Sequence, residues 1–235
     1  MIISHEHKFI FIHIGKTGGT SVEKVLCERL DIDFENTKKN PRNGHWWKHA
    51  WAREVRDLFG SEIWEEYFTF AFVRNPYDML LSLYSMYTQY PEYINKEEHP
   101  KLYHPWNQFD DFKDLVISMR DKKHAPDEEW RLQLDKLGAD NHMQVWNSLR
   151  NLQTKYLCNK HGDIMVDFVG RFENLQYDFD YCCKRIGIEP IDLIWHGPTK
   201  HKNYRDVYTS DMIDVVNNHS WKDIRKYGYE RSIAK

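Results

Sequence analysis

The chain has 235 residues, with 33 Lys plus Arg against 36 Asp plus Glu, a net charge of −3 and 15% aromatic side chains. That near-balance excludes a protein built to coat nucleic acid, and the wealth of rings excludes a disordered chain even though mean hydropathy is −0.77. No apolar run approaches the roughly 20 residues needed to span a bilayer, and the N-terminus lacks the basic start of a signal peptide. The four cysteines, Cys27, Cys158, Cys182 and Cys183, form no CxxC pair, so free buried thiols in a reducing, cytoplasmic setting are expected. Neither a repeat nor a Pro/Gly/Ser-rich linker divides the chain, and a single domain over 1–235 is expected.

In chain order, Lys8 to Ile14 (KFIFIHI) reads as a buried strand. It runs into Gly15-Lys16-Thr17-Gly18-Gly19-Thr20-Ser21, after which Val22, Val25, Leu26 and Leu30 recur at helical spacing, with Thr20 or Ser21 as the expected N-cap. Residues 31–47 read as a loop, and a helix is expected over 48–59 with Gly60 as its stop. Tyr67 to Val73 is a second strand, broken at Arg74-Asn75-Pro76, with a helix from Pro76 to about Thr88. Residues 89–108 form a proline- and aromatic-rich excursion, and helical patterns resume over 109–121 and 127–151. A third strand, Ile164 to Val169, leads through Gly170-Arg171-Phe172 into a helix over 174–186 closed by Gly187. A loop over 195–206 precedes a last helix from Ser210. Strands alternating with helices predict an α/β fold, a parallel sheet with helices on both faces and ligand loops at the carboxyl ends of the strands.

The glycine-rich loop offers several backbone N–H groups to an anion at the start of a helix, whose dipole favours negative charge, and Lys16 adds a mobile cation. The plain alternative is a tight turn carrying a solvated lysine. A nucleotide-hydrolysing P-loop, GxxxxGKS/T, fails on order, because here the lysine precedes the glycines and Phe11 stands five positions before it. The residues read as phosphate-binding without the signature of a metal–ATP site.

His13-Ile-Gly-Lys-Thr-Gly-Gly-Thr-Ser21 resembles the 5′-phosphosulfate loop of sulfotransferases that use 3′-phosphoadenosine 5′-phosphosulfate (PAPS). It is nearest to the carbohydrate-type family that includes heparan and chondroitin sulfotransferases, with Gly15 where that family has proline. The resemblance implies a P-loop-like fold, no metal requirement, and Gly15, Lys16, Thr17, Gly18, Gly19, Thr20 and Ser21 around the 5′ end of PAPS. Phe72-Val73-Arg74-Asn75-Pro76-Tyr77-Asp78, with Ser82 beyond it, resembles the 3′-phosphate motif. It implies that Arg74 and Ser82 bind that phosphate, where a guanidinium can make two parallel hydrogen bonds; alone, both read as ordinary strand-end and helix-face residues. Val169-Gly-Arg-Phe-Glu-Asn-Leu175 resembles the GRFENL segment and implies Phe172 near the adenine, with an Arg171–Glu173 structural pair as the competing reading of its neighbours. Lys202 is a candidate for a loop that closes over the 3′-phosphate, although a solvated lysine is the simpler reading.

Lys16 is expected to stabilise the leaving group and a histidine to take the acceptor's proton. His49 is favoured because Lys48-His49-Ala50-Trp51-Ala52-Arg53-Glu54 resembles the family's KHxxAxE segment, and His45 is the alternative. Histidine spacing matches no recognised metal motif. The implied reaction moves a sulfuryl group from PAPS to an acceptor hydroxyl, probed by aromatic segments over 31–47, 89–108 and 123–160 that include Trp46, Trp47, Tyr90, Tyr93, Tyr103 and Trp106. A carbohydrate acceptor is implied by the resemblance, without nucleic acid and without the membrane anchor of animal relatives. The rival classes are a nucleotide-dependent kinase and a non-catalytic nucleotide- or glycan-binding protein.

Overall fold

The computed structural model describes residues 1–39, 48–89, 111–121, 152–194 and 201–232. They fall into two compact units interleaved in sequence, Met1–Arg74 with Asn151–Pro198, and Asn75–Arg150 with Thr199–Lys235.

The first unit is built on a four-stranded sheet in spatial order β1-β2-β3-β4, with β1 Ile2–Ser4, β2 Phe9–Ile12, β3 Phe68–Val73 and β4 Phe168–Arg171. Strands β2, β3 and β4 are parallel, in register Phe11↔Phe70 and Phe72↔Gly170. The mostly parallel α/β sheet flanked by helices is the expected fold class. The added feature is β1, which pairs antiparallel with β2 through Ile2↔Phe11 and Ser4↔Phe9. Three residues followed by the polar His5-Glu6-His7-Lys8 are too short to show a strand pattern in sequence.

Side-chain alternation explains why β2 and β3 are apolar throughout. Phe9, Phe11, Phe68, Phe70 and Phe72 share one face and pack with Val22, Val25 and Leu26 of helix α1, Gly19–Arg29, and with Leu175, Phe179 and Cys182 of a second helix, Leu175–Arg185. The residues between them, Ile10, Ile12, Ala71 and Val73, are also buried. A strand buried on both faces reads as a continuous apolar run.

Three local expectations are corrected. Helix α1 is capped by Gly18, not Thr20 or Ser21, and the Gly18 carbonyl accepts from the Ser21 N–H at 3.0 Å. The helix expected from 48 begins at Ala52 (α2, Ala52–Phe59), because the Glu54 carboxylate accepts from the Trp51 N–H at 2.9 Å and marks the helix start. After Gly60 the chain makes another helix at once, α3, Ser61–Glu66. The third strand begins four residues late, since Ile164 bridges to Cys158 and the Met165 N–H donates to the Leu157 carbonyl. Those residues pair with the end of a short helix, Gln153–Leu157, rather than with β3.

In the second unit the described helices are α4, Pro76–Gln89, α5, Phe112–Asp121, and the later pair Ser210–His219 and Trp221–Lys226. The Asn75 side chain accepts from the Tyr77 N–H at 3.0 Å and starts α4. Tyr77, Leu80, Leu115, Tyr208, Met212 and Val216 form its core. Of the excursion expected over 89–108, Gln89 is the last residue of α4 and the rest lies outside the described residues, as do the helix expected over 127–151 and His45, Trp46, Trp47, Tyr90, Tyr93, Tyr103 and Trp106.

Candidate functional site

Residues Gly15 to Gly18 leave β2 in a turn and deliver the chain into α1. Two features make the turn tight. The Thr17 hydroxyl, fully buried, donates to the Ile14 carbonyl at 2.8 Å. Lys16 has φ +66° and Gly18 φ +80°, a left-handed backbone that costs a non-glycine residue about 1 kcal/mol or more. A Cβ at Gly18 would lie 2.5 Å from Leu175 Cδ2, and one at Gly19 would lie 2.2 Å from His13 Cδ2. Gly18 is therefore favoured by the turn as well as by its neighbours, and Gly19 by the close approach of His13 alone.

Arg74 follows β3 and is buried to 6% exposure. Its guanidinium donates through Nη1 to the Lys16 carbonyl at 3.1 Å and lies 3.9 Å over the Phe172 ring. Its backbone is clipped in both directions by Gln153, whose Oε1 accepts from the Arg74 N–H and whose Nε2 donates to the Arg74 carbonyl, each at 2.8 Å. Lys16, Gly18, Arg74 and Phe172 thus converge in one unit from three separate stretches of sequence. Burial, and then the Arg74 guanidinium beside it, push the Lys16 pKa down to about 8. An anion at this place would oppose both effects, so the chemistry of the cradle fits a phosphate or sulfate group.

A second group of polar residues gathers around Glu23. Glu23, on α1, is fully buried, with His13 Nδ1 at 2.9 Å, Lys48 Nζ at 3.5 Å and the Met1 amino group also against it. Burial pushes the Glu23 carboxyl up, but these neighbours outweigh it and leave the group well below the carboxylate range. Burial pushes His13 down to about 4 against the pull of Glu23. Lys48 Nζ donates to Thr20 Oγ1 at 3.2 Å. His49 Nδ1 lies 2.9 Å from the His13 carbonyl oxygen, and the two rings meet edge to face at 4.6 Å. A carbonyl can only accept, so Nδ1 carries the hydrogen and Nε2 of the neutral ring holds the lone pair. Burial pushes the His49 pKa well below its ordinary range, and His13 and Lys48 push the same way.

The remaining candidates lie in the second unit: Ser82 is buried on α4, and Lys202 is exposed ahead of a short turn at Tyr204–Asp206. Ser21 is buried at the start of α1. The sequence reading did not single out Glu23, His13, Lys48 or Gln153 as site residues. Among the described residues no group of three or more His, Cys, Asp or Glu could hold a metal ion, and no described helix is long and apolar enough to cross a membrane.

A mostly parallel sheet flanked by helices, with a lysine–glycine loop after β2 bonded to a strand-end arginine, is a fold of P-loop-like type. The family model described as the sulfotransferase family matches residues 1–214, and the chain belongs to that family. Carbohydrate sulfotransferase 10 of Xenopus laevis is 22% identical over 250 residues, covering 98% of this chain and 67% of that protein. Carbohydrate sulfotransferase 9 of Homo sapiens is 25% identical over 226 residues, covering 89% of this chain and 44% of that protein. The chain thus spans about two thirds of the first relative and less than half of the second. No solved structure matches it.

Proposed function

We propose that the protein transfers a sulfuryl group from PAPS to a hydroxyl of a carbohydrate or glycosylated metabolite. The observation that carries this reading is the pairing of Lys16 with Arg74 around a loop of glycine amides, two neighbouring cations whose mutual repulsion a bound anion would relieve. The names of the two relatives support a carbohydrate acceptor. The buried free thiols of Cys27, Cys182 and Cys183 suit a reducing, cytoplasmic setting.

PAPS, when bound, supplies the sulfuryl group, whose bond to the 5′-phosphate breaks as the acceptor oxygen attaches, leaving adenosine 3′,5′-bisphosphate. Lys16 and the N–H groups of Gly18 to Thr20 stabilise the negative charge that grows at the leaving oxygen. Arg74 holds phosphate while its back is supported by Phe172; by the resemblance Phe172 also borders the adenine. His49 Nε2 takes the acceptor's proton, its tautomer set by the His13 carbonyl. Ser82 and Lys202 enter this reading through the family resemblance alone.

The test is a thermal-shift comparison of adenosine 3′,5′-bisphosphate with ATP–magnesium, followed by transfer of radiolabelled sulfate from PAPS to a panel of saccharides. Stabilisation by the bisphosphate and label in a saccharide are expected. Stabilisation by ATP–magnesium alone would turn the reading to a kinase, and bisphosphate binding without transfer to any acceptor would turn it to a binding protein.

A further inference from the structure

Glu23 is a fully buried carboxylate on α1 whose neighbours reach both functional halves of the site. On one side Lys48 lies 3.5 Å from the carboxylate and donates to Thr20 Oγ1 at 3.2 Å. An ammonium has only donors, so the Thr20 oxygen must accept from it, and the hydroxyl's own proton is left for a different acceptor. Thr20 sits in the first turn of α1, where an anion bound at the loop would offer such an acceptor. On the other side His13, 2.9 Å from the carboxylate, presses its ring on Gly19 and presents the carbonyl that receives His49 Nδ1–H.

We infer that Glu23 is a positioning residue which aims the Thr20 hydroxyl at the bound anion through Lys48 and holds the His49 tautomer through His13. The inference rests on the sulfotransferase reading of the cradle and deepens it, because it names one buried group that aligns both the anion loop and the proton acceptor. A buried ion network kept for orientation rather than stability is physically reasonable, since replacing such a network by apolar groups often leaves stability unchanged. Glu23 itself touches neither the anion nor the acceptor. Among the described residues, the charged and titratable groups facing the pair of histidines are Glu23, Lys48 and the Met1 amino group.

The test measures PAPS affinity by calorimetry and the His49 tautomer by nitrogen-15 NMR of the histidine rings. The wild-type protein is expected to bind PAPS with His49 as the Nδ1–H form. Glu23→Gln is expected to lose about tenfold in affinity, the scale of one charge-assisted hydrogen bond, and to show both His49 tautomers, while Glu23→Asp recovers part of each. Wild-type affinity and an unmixed tautomer in a folded Glu23→Gln protein overturn the inference and leave the sulfotransferase reading standing. No PAPS binding by the wild type overturns both. Should Glu23→Gln fail to fold, Lys48→Met and Thr20→Val form a double-mutant cycle in the wild-type background. A double variant no weaker than either single variant supports the coupling of Lys48 to Thr20. A double variant whose loss is the product of the two single losses overturns it.

Discussion

Lys16 carries a cost in the ligand-free protein: it is crowded by Arg74, withdrawn from water and bent into a left-handed backbone. Those costs make sense where a bound anion offsets them. With a pKa of about 8 before binding, Lys16 loses its charge as the pH rises through 8, and an anion that favours the charged form raises that pKa. Affinity for PAPS is therefore expected to be flat below pH 8 and to fall above it, with proton uptake on binding at pH 9. Calorimetry in two buffers of different ionisation enthalpy measures that uptake; zero uptake contradicts the assignment. Lys16→Ala should reduce turnover on the order of 10²-fold or more. His49 is depressed in the same direction with a different consequence, because a low pKa keeps the ring neutral and able to accept a proton. The rate should hold steady from pH 8 down through 6, where an ordinary imidazole of pKa about 6.5 would lose activity. His49→Gln should lower turnover by roughly 10²-fold or more while PAPS affinity stays near wild type, which separates a base from a binding group.

At the scale of elements, the loop and its helix behave as one packed piece. His13 at the end of β2 lies against Gly19, and Phe172 and Leu175 lie against Gly18. Gly19→Ala forces the buried His13 ring to move, and with it the carbonyl that holds His49. A loss of about 1–3 kcal/mol of stability is expected by urea denaturation, together with weaker PAPS binding; wild-type stability would show that the ring has room to shift. The glycine loop, the strand-end arginine and the buried strands were legible in sequence because each is a local pattern of neighbouring residues. Glu23 was not, for a specific reason: Thr20-Ser21-Val22-Glu23 spells a capping box, so the spacing points to a surface role, whereas the glutamate turns inward to His13 and Lys48. Gln153 was equally hidden, since its two bonds reach back 79 residues to the Arg74 backbone. Strand β4 was misplaced for a related reason, because Ile164 and Met165 satisfy their hydrogen bonds with the nearby 157–158 segment instead of the sheet.

Over the whole molecule, the charge argument and the site argument operate at different lengths. Five residues, Lys16, Arg74, Lys48, Glu23 and His49, carry the local electrostatics of the glycine loop and its neighbours, and a net charge of −3 does not reach them through the screening of ordinary salt. An extended acceptor is different, because it meets the summed field of a surface that carries more acid than base. A heavily sulfated polysaccharide would be repelled on approach, while a neutral or weakly charged saccharide would not. At low ionic strength the protein is therefore expected to sulfate a desulfated oligosaccharide with a kcat/KM at least about tenfold above that of its fully sulfated counterpart. Raising salt toward 0.5 M should narrow the gap, since the screening length is already about 10 Å at 0.1 M and shortens further. A matched pair of oligosaccharides assayed across a salt series measures this directly. Faster sulfation of the more sulfated chain at low salt would mean that acceptor choice is set by a local basic surface, and net charge would then carry no information about the acceptor.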